Sequence, residues 1–177
     1  MPIGDGTTDF FRVEEIAMYK TRIDLSKSVR DKVIPILQAR LADSIDLMMQ
    51  AKQAHWNVKG PSFIALHELF DDVAEIVEGH ADTIAERITA LGGRADGTVR
   101  IAAAQSKLEE YPLEITAGTD HAAALADRLA AFGKAVRDAI NATGEAGDAD
   151  TSDLFTEISR EIDKQLWFVE AHLQAER

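Results

Sequence analysis

The sequence has no cysteine and little proline or glycine, with four Pro and eleven Gly in 177 residues. The absence of cysteine excludes a disulfide scaffold and every thiolate metal site, so a metal centre here would need histidine and carboxylate ligands. The small number of chain-breaking residues favours helices over many short strands joined by turns. We therefore predict an all-α protein with one compact domain.

The sequence also lacks segments that direct a chain to a membrane. Its start, MPIGDGTTDFF, has no charged region followed by an apolar one, and no apolar run is long enough to span a bilayer. We expect no membrane association and a cytoplasmic location, with attachment to the nucleoid as an alternative. Acidic residues number 31 and basic residues 19, so the net charge of -12 repels nucleic acid and attracts cations.

Apolar residues recur with helical spacing in several long segments. The first helix should follow Ser26 or Ser28 as its N-cap and end near Asn57. The second should end at Gly92 and Gly93, which act as a C-terminal signal. It carries the clearest apolar stripe, formed by Phe63, Leu66, Phe70, Val73, Val77, Ile84, Ile88 and Leu91.

A long connection over residues 94–118 separates the second helix from the third, and residues 99–110 within it are expected to form a short helix. Thr119 is expected to cap the third helix, and Thr151 the fourth, after a loop over 141–150. One long central crossover between two helix pairs is typical of the ferritin-like four-helix bundle. We predict this bundle over residues 26–177, preceded by an N-terminal tail over residues 1–25.

Two pairs of metal-ligating residues lie on the second predicted helix. His67 and Asp71 form one pair, Asp82 and Glu86 the other, and His55 lies near the end of the first helix. Residues four apart share a helix face, so each pair could offer two ligands to one ion. Asp71 and Asp82 are eleven residues apart, which is about 16 Å along a helix axis. The two pairs therefore cannot bind one ion within a single chain.

A twofold axis between two copies of the second helix removes this difficulty. In an antiparallel arrangement Asp71 faces Asp82 and His67 faces Glu86, because both pairings are centred on the same bond, Ile76–Val77. One symmetry operation thus completes two identical sites, with the first-helix histidine closing one side of each. A single pair of this spacing is more often a solvated helix face, but the common register weakens that interpretation.

Several other ionisable residues receive no functional role from the sequence. Glu75 and Glu78 lie on the same stripe and would confront each other across the axis, where they would splay to solvent, be partly protonated or bind cations. His80, His121 and His172 have no partner recognisable in the sequence, and we expect structural roles for them.

Residues 52–93, KQAHWNVKGPSFIALHELFDDVAEIVEGHADTIAERITALGG, resemble the signature of the Dps proteins, the starvation-induced mini-ferritins, and the likeness extends through AGDADTSDLF to LWFVEAHLQ. The family's intersubunit ferroxidase ligands are matched by His55, His67, Asp71, Asp82 and Glu86. The resemblance implies a homododecameric shell that oxidises Fe(II), commonly with hydrogen peroxide and otherwise with dioxygen, and stores Fe(III) mineral. Zinc is a possible competitor for such a ligand set.

The resemblance also suggests roles outside the ligand set. Trp56 is similar to the family's tryptophan near this centre, where it would intercept one-electron oxidants, and a core or interface aromatic is the alternative. Asp148, Asp153 and Glu157 resemble the lining of the threefold pores through which iron enters Dps shells. Helix capping and the helix dipole are the alternative explanation for these acids.

DNA binding is where the sequence departs from the family pattern. Residues 1–28 hold four cations, Arg12, Lys20, Arg22 and Lys27, against five anions. Because affinity for DNA comes mainly from phosphate neutralisation, we expect weak or absent DNA binding. An iron-oxidising storage particle is the leading hypothesis, and a nucleoid protein that compacts DNA is the alternative. A non-iron di-metal enzyme or a plain interaction bundle is a third; no Glu-x-x-His motif supports an intrachain di-iron oxygenase.

Overall fold

The computed structural model describes residues 18–174 of the chain. Helices dominate this part of the chain, and its only bridge between extended segments joins Lys59 to Ala117. The predicted all-α class is therefore confirmed. The helices are α1 (Lys27–Asn57), α2 (Phe63–Ala90), α3 (Val99–Gln105), α4 (Gly118–Ala146) and α5 (Ala149–Glu170).

The limits of α1 and α2 agree with the sequence prediction. The Ser26 hydroxyl accepts a hydrogen bond from the Val29 N–H at 3.2 Å, which caps the start of α1. The chain leaves α2 through Gly92, whose φ of +87° lies in the left-handed region. A Cβ there would lie 2.4 Å from the carbonyl oxygen of Tyr19, so both the backbone angle and the close approach require glycine.

The predicted caps of the last two long helices are wrong. The N-cap of α4 is Ala117 rather than Thr119, and α4 continues through most of the expected 141–150 loop to Ala146. The N-cap of α5 is Asp148, whose carboxylate accepts the N–H of Thr151 at 3.0 Å. A carboxylate also suits the positive helix end, and so Asp148 takes the position predicted for Thr151. The crossover helix is likewise shorter than predicted and ends at Gln105.

The long helices pack in the two predicted pairs. α1 lies along α2, α4 lies along α5, and α1 also contacts α4. Phe70, Phe132 and Phe155 are fully buried between them, and each such side chain contributes about 1.5 to 3 kcal/mol through burial. Phe63, the first residue of the predicted apolar stripe, is by contrast 40% exposed and lies outside the core. This packing is the ferritin-like four-helix bundle.

Side chains of the bundle hold the crossover against its surface. The Gln38 amide donates to the carbonyl oxygen of Asp96 at 2.7 Å and accepts the Asp96 N–H at 3.0 Å. Farther along, the Arg128 guanidinium donates to the carbonyl oxygens of Glu109 and Glu110 at 2.9 and 2.8 Å. These bonds satisfy backbone groups of the crossover that have no hydrogen-bond partner within a helix. Over residues 18–174, no helix is both long and apolar enough to cross a membrane.

Candidate metal centre

Two histidines hold each other in place where α1 ends and α2 begins. The Nδ1 atom of His55 lies 2.7 Å from the carbonyl oxygen of His67, and the Nδ1 atom of His67 lies 2.9 Å from that of His55. Their rings stack with centroids 3.7 Å apart. Because a carbonyl oxygen only accepts, each Nδ1 carries a hydrogen, and in the neutral ring each Nε2 therefore keeps the lone pair. A histidine anchored in this way is ready to bind a metal.

The third predicted ligand, Asp71, lies one turn after His67 and is about half exposed. Its carboxylate forms an ion pair with the ammonium of Lys52 on α1. This hydrogen bond is the main cause of a lowered pKa for Asp71, and it outweighs the opposite effect of desolvation. Asp71 is therefore ionised at neutral pH and can offer an anionic oxygen to a metal.

Lys52 was not predicted from the sequence as part of the site. Its spacing to His55, three residues, puts both on one face of α1, and that spacing was the available signal.

The remaining predicted ligands, Asp82 and Glu86, lie at the other end of α2. Both are exposed. In the described part of the chain, no hydrogen bond or ion pair engages either carboxylate. Within residues 18–174, moreover, no three His, Asp or Glu side chains are arranged to hold a metal ion. The structure thus brings His55, His67 and Asp71 to one end of α2 and leaves Asp82 and Glu86 at the other.

Known proteins that resemble this chain have the same fold. A family model described as a ferritin-like domain matches residues 34–177. The DNA protection during starvation protein of Agrobacterium fabrum is 47% identical over 156 residues, spanning 88% of this chain and 96% of that protein. A Dps structure from Mycobacterium smegmatis superposes with a TM-score of 0.85 at 33% identity, covering 90% of this chain and 96% of that one. DpsC from Streptomyces coelicolor gives 0.87 at 29% identity, with 94% and 98% covered.

The chain belongs to the Dps family of ferritin-like proteins. The resemblance recognised in the sequence is therefore confirmed. The identity extends along nearly the whole relative, so the family assignment applies to the complete bundle rather than to one motif.

In this Dps-family chain, Trp56 lies on the surface beside the candidate centre. Its side chain is 59% exposed, which excludes the core position considered as an alternative. It lines an open cleft of about 450 Å³ between α1 and α2, together with Lys52, Asp71, Glu75 and Glu78. A large exposed aromatic beside an acidic cleft is a surface suited to contact with another subunit.

The three predicted pore residues differ in their surroundings. Asp148 is 1% exposed and forms an ion pair with Arg87 at 2.8 Å, besides capping α5. Its second carboxylate oxygen accepts the hydroxyl of Thr151 at 2.6 Å. The carboxylate therefore serves the capping role that was the alternative for these acids. Asp153 and Glu157 are exposed along α5.

The histidines left without a role by the sequence fall into two classes. His172 is exposed, whereas His80 and His121 are buried. The Nδ1 atom of His121 and the Tyr111 hydroxyl form a hydrogen bond of 2.7 Å, and burial lowers the His121 pKa and raises that of Tyr111. This neutral pair joins the crossover to α4, in agreement with the structural role expected for His121.

Proposed function

We propose that this chain is a mini-ferritin that oxidises Fe(II) at sites shared between two subunits and stores the Fe(III) product inside a dodecameric shell. The shared site consists of His55, His67 and Asp71 of one subunit with Asp82 and Glu86 of the partner subunit. Hydrogen peroxide is the proposed oxidant and dioxygen the alternative.

The division of the ligands between the two ends of α2 carries this proposal. At one end, the reciprocal bonds of His55 and His67 fix both rings and leave both Nε2 atoms available. At the other, Asp82 and Glu86 are exposed, and Asp82 lies about 16 Å from Asp71 along the helix. An antiparallel partner helix centred on Ile76–Val77 supplies each end with the ligands that its own chain holds too far away.

The ligand chemistry suits iron in both oxidation states. Neutral imidazole and carboxylate groups bind Fe(II), and the carboxylates favour the extra positive charge of Fe(III). Two Fe(II) ions supply the two electrons that, with two protons, convert one hydrogen peroxide to two water molecules. The same ligands bind zinc, which would compete for the site. Trp56 lies beside the centre and would supply an electron to a one-electron oxidant that escapes this pairing.

Carboxylates on α5 would draw the substrate ion inward. Asp153 and Glu157 are exposed one turn apart, and clustered carboxylates focus a negative potential that attracts Fe(II). Asp148 would contribute mainly by holding the start of α5, because its oxygens are already engaged by Arg87 and Thr151.

DNA compaction is the weaker candidate function, because the chain's net charge of -12 repels DNA phosphates. In a mobility-shift assay at neutral pH and moderate salt, the assembled protein should leave duplex DNA unretarded. Tight binding that weakens steeply with added salt would contradict this expectation.

The proposed activity is tested by loading the assembled protein with Fe(II) without oxygen and then adding hydrogen peroxide or dioxygen. Ferric formation should be much faster than with iron alone, and the particle should keep its size while its iron content grows. Two Fe(II) should be consumed per peroxide. Ferric formation no faster than in buffer, or iron that precipitates outside the shell, would refute the proposal.

A further inference from the structure

Tyr111 and His121 form a buried pair in which one ring nitrogen is left unsatisfied. Tyr111 is 9% exposed and His121 is 1% exposed, and the phenol oxygen lies 2.7 Å from Nδ1 of His121. Within the described residues, no group meets the buried Nε2 atom of His121 in hydrogen-bonding geometry. An unsatisfied buried atom is costly. A backbone carbonyl could bind the phenol without this cost, so the presence of histidine indicates a chemical role for the pair.

The hydrogen between the two residues belongs to the phenol. Among the residues that the structure describes, His121 is the only hydrogen-bond partner of the Tyr111 hydroxyl, and a buried Tyr hydroxyl usually finds an acceptor. The hydrogen is therefore assigned to Oη, which leaves the lone pair on Nδ1 and the ring hydrogen on Nε2. Burial lowers the pKa of His121 and outweighs the opposite effects of Asp120 and the Ile115 backbone. The ring is thus neutral, and Nδ1 can accept a proton.

Burial also makes the phenol a donor of an electron and a proton together. It raises the pKa of Tyr111 and outweighs the opposite effect of Arg128, so the phenol does not ionise beforehand. A phenol that loses an electron becomes a strong acid, and a charged radical would be costly to bury. The proton must therefore leave with the electron. Nδ1 of His121 lies at the other end of the hydrogen bond along which it would move.

Trp56 connects this pair to the candidate metal centre. Its side chain lines the cleft that contains Asp71. It also lines a second cavity, of about 580 Å³, whose wall includes Tyr111. The exposed indole beside the metal ligands and the buried phenol therefore border one cavity, and an electron that passes from the phenol to the indole has only this cavity to cross.

We propose that Tyr111 and His121 form a proton-coupled electron donor that restores Trp56 after its oxidation. The role rests on the proposed function, in which a hydroxyl radical, formed when one Fe(II) reduces peroxide, takes an electron from Trp56 and becomes hydroxide. The Trp56 radical cation then takes an electron from Tyr111, whose proton moves from Oη to Nδ1 of His121. A neutral indole, a tyrosyl radical and a charged imidazole result. One Fe(II) then reduces the tyrosyl radical and becomes Fe(III), and the proton returns to Oη.

The difference in exposure gives this transfer its value. Trp56 is 59% exposed, so its radical cation is open to attack by water and dioxygen. The tyrosyl radical is enclosed by the protein and is shielded from both until Fe(II) reduces it. The pair would thus protect the indole from permanent damage.

The chain contains two tyrosines and two tryptophans, so each aromatic residue of the path has a matched control. Trp167 is 61% exposed, close to Trp56, and Tyr19 is exposed and lines neither of the two spaces. Pulse radiolysis of the assembled, metal-free protein supplies the azide radical, which oxidises tryptophan without iron. All samples carry Tyr19→Phe, so any tyrosyl absorption that grows as the tryptophan radical decays comes from Tyr111.

A tyrosyl radical should form in the Tyr19→Phe protein. Adding Trp56→Phe should reduce its yield at least tenfold, whereas adding Trp167→Phe should leave at least half of it. His121→Gln keeps an acceptor near the phenol but no base, and it should slow tyrosyl formation at least tenfold. The proposal is overturned if no tyrosyl radical forms, or if Trp56→Phe and Trp167→Phe give equal yields. An unchanged rate in His121→Gln would also overturn it.

A second measurement avoids substitution of buried residues. In the Tyr19→Phe protein grown with ring-deuterated tyrosine, the electron paramagnetic resonance signal after oxidation should narrow, because the radical is on Tyr111. A signal that does not narrow would contradict the proposal. Because azide radical acts without iron, these results are independent of whether the protein is a ferroxidase.

The protective role is tested with iron present. After Fe(II) and limiting peroxide, mass spectrometry of peptides measures the hydroxylation of Trp56. Tyr111→Phe should raise it several-fold, and Tyr19→Phe should not. Equal hydroxylation in the two variants would show that the pair does not restore Trp56 during iron oxidation.

Discussion

Each end of α2 carries two proposed metal ligands that are four residues apart, but only one of the two pairs is held in place within the subunit. At the first end, His67 and Asp71 are held by side chains and backbone of α1, through His55 and Lys52. At the second end, Asp82 and Glu86 are exposed, and no hydrogen bond or ion pair within the described residues fixes their carboxylates. One end is therefore organised by folding, whereas the other acquires its geometry only on assembly.

The second end is nevertheless well placed as backbone. Arg87, next to Glu86, donates to Asp148 and Thr151 at the start of α5, both at 2.8 Å. This connection fixes α2 against α5 without constraining the ligand side chains. A metal site can thus combine ligands that folding already fixes with ligands whose side chains are free to move. The helix that carries the free side chains must still be held in place.

Removing ligands at either end should abolish activity but affect folding differently. His67→Ala and Glu86→Ala should each slow ferric formation by at least about 100-fold, because loss of a ligand should cost no less than loss of the most important outer partner. Only His67→Ala should also lower the free energy of unfolding, by about 1 kcal/mol, because it alone removes a hydrogen bond within the subunit. Stopped-flow kinetics and urea unfolding measure the two effects, and Asp72→Ala is the exposed control. An equal decrease in the free energy of unfolding for both variants would contradict the proposed difference between the two ends.

Breaking the connection beneath the second end should destabilise the protein. Arg87→Met leaves the buried Asp148 without its ionic partner and should lower the free energy of unfolding by about 2 kcal/mol. This is less than for a fully buried pair because the Arg87 side chain is 15% exposed. Thermal and urea unfolding check the value. Adding Asp148→Asn should recover part of the loss, and a fully stable Arg87→Met variant would show that α2 is held in another way.

Loss of Lys52 should have the smallest effect, confined to the first end. Lys52→Met removes the side chain that holds the Asp71 carboxylate in position, and Fe(II) affinity should fall by about tenfold, the lower range for an outer partner. Anaerobic Fe(II) binding measures this, with Lys20→Met as a control. Both variants should unfold at the same urea concentration, since an exposed ion pair adds little stability. An affinity as low as that of His67→Ala would mean that Lys52 positions the histidines as well.

The sequence predicted the elements whose signals are local. Ser26 before an apolar stripe and Gly92 after one define α1 and α2 almost to the residue. The start of α5 was misplaced because Asp148 and Thr151 both suit an N-cap, and only the ion pair with Arg87, 61 residues away, favours the former. Spacing alone predicted the two ligand pairs on α2, since four residues on a helix share a face in any context.

Contacts between segments that are distant in the chain could not be predicted from the sequence. The reciprocal bonds of His55 and His67 depend on the turn between α1 and α2, and Lys52 reaches Asp71 from 19 residues away. The position of His80 opposite Glu161 likewise follows from the packing of α2 against α5. The tail predicted over residues 1–25 falls mostly outside the described residues and stays a prediction.

Complementation between two inactive variants tests the shared site most directly. One variant carries His55→Ala and His67→Ala, and the other carries Asp82→Ala and Glu86→Ala. Each alone lacks half of every site and should oxidise Fe(II) slowly. In a mixed dimer, one site combines intact histidines with intact carboxylates, so random co-refolding in equal amounts should restore about a quarter of the normal activity by twofold symmetry. Verified mixed dimers that remain as inactive as the separate variants would contradict a site shared between subunits.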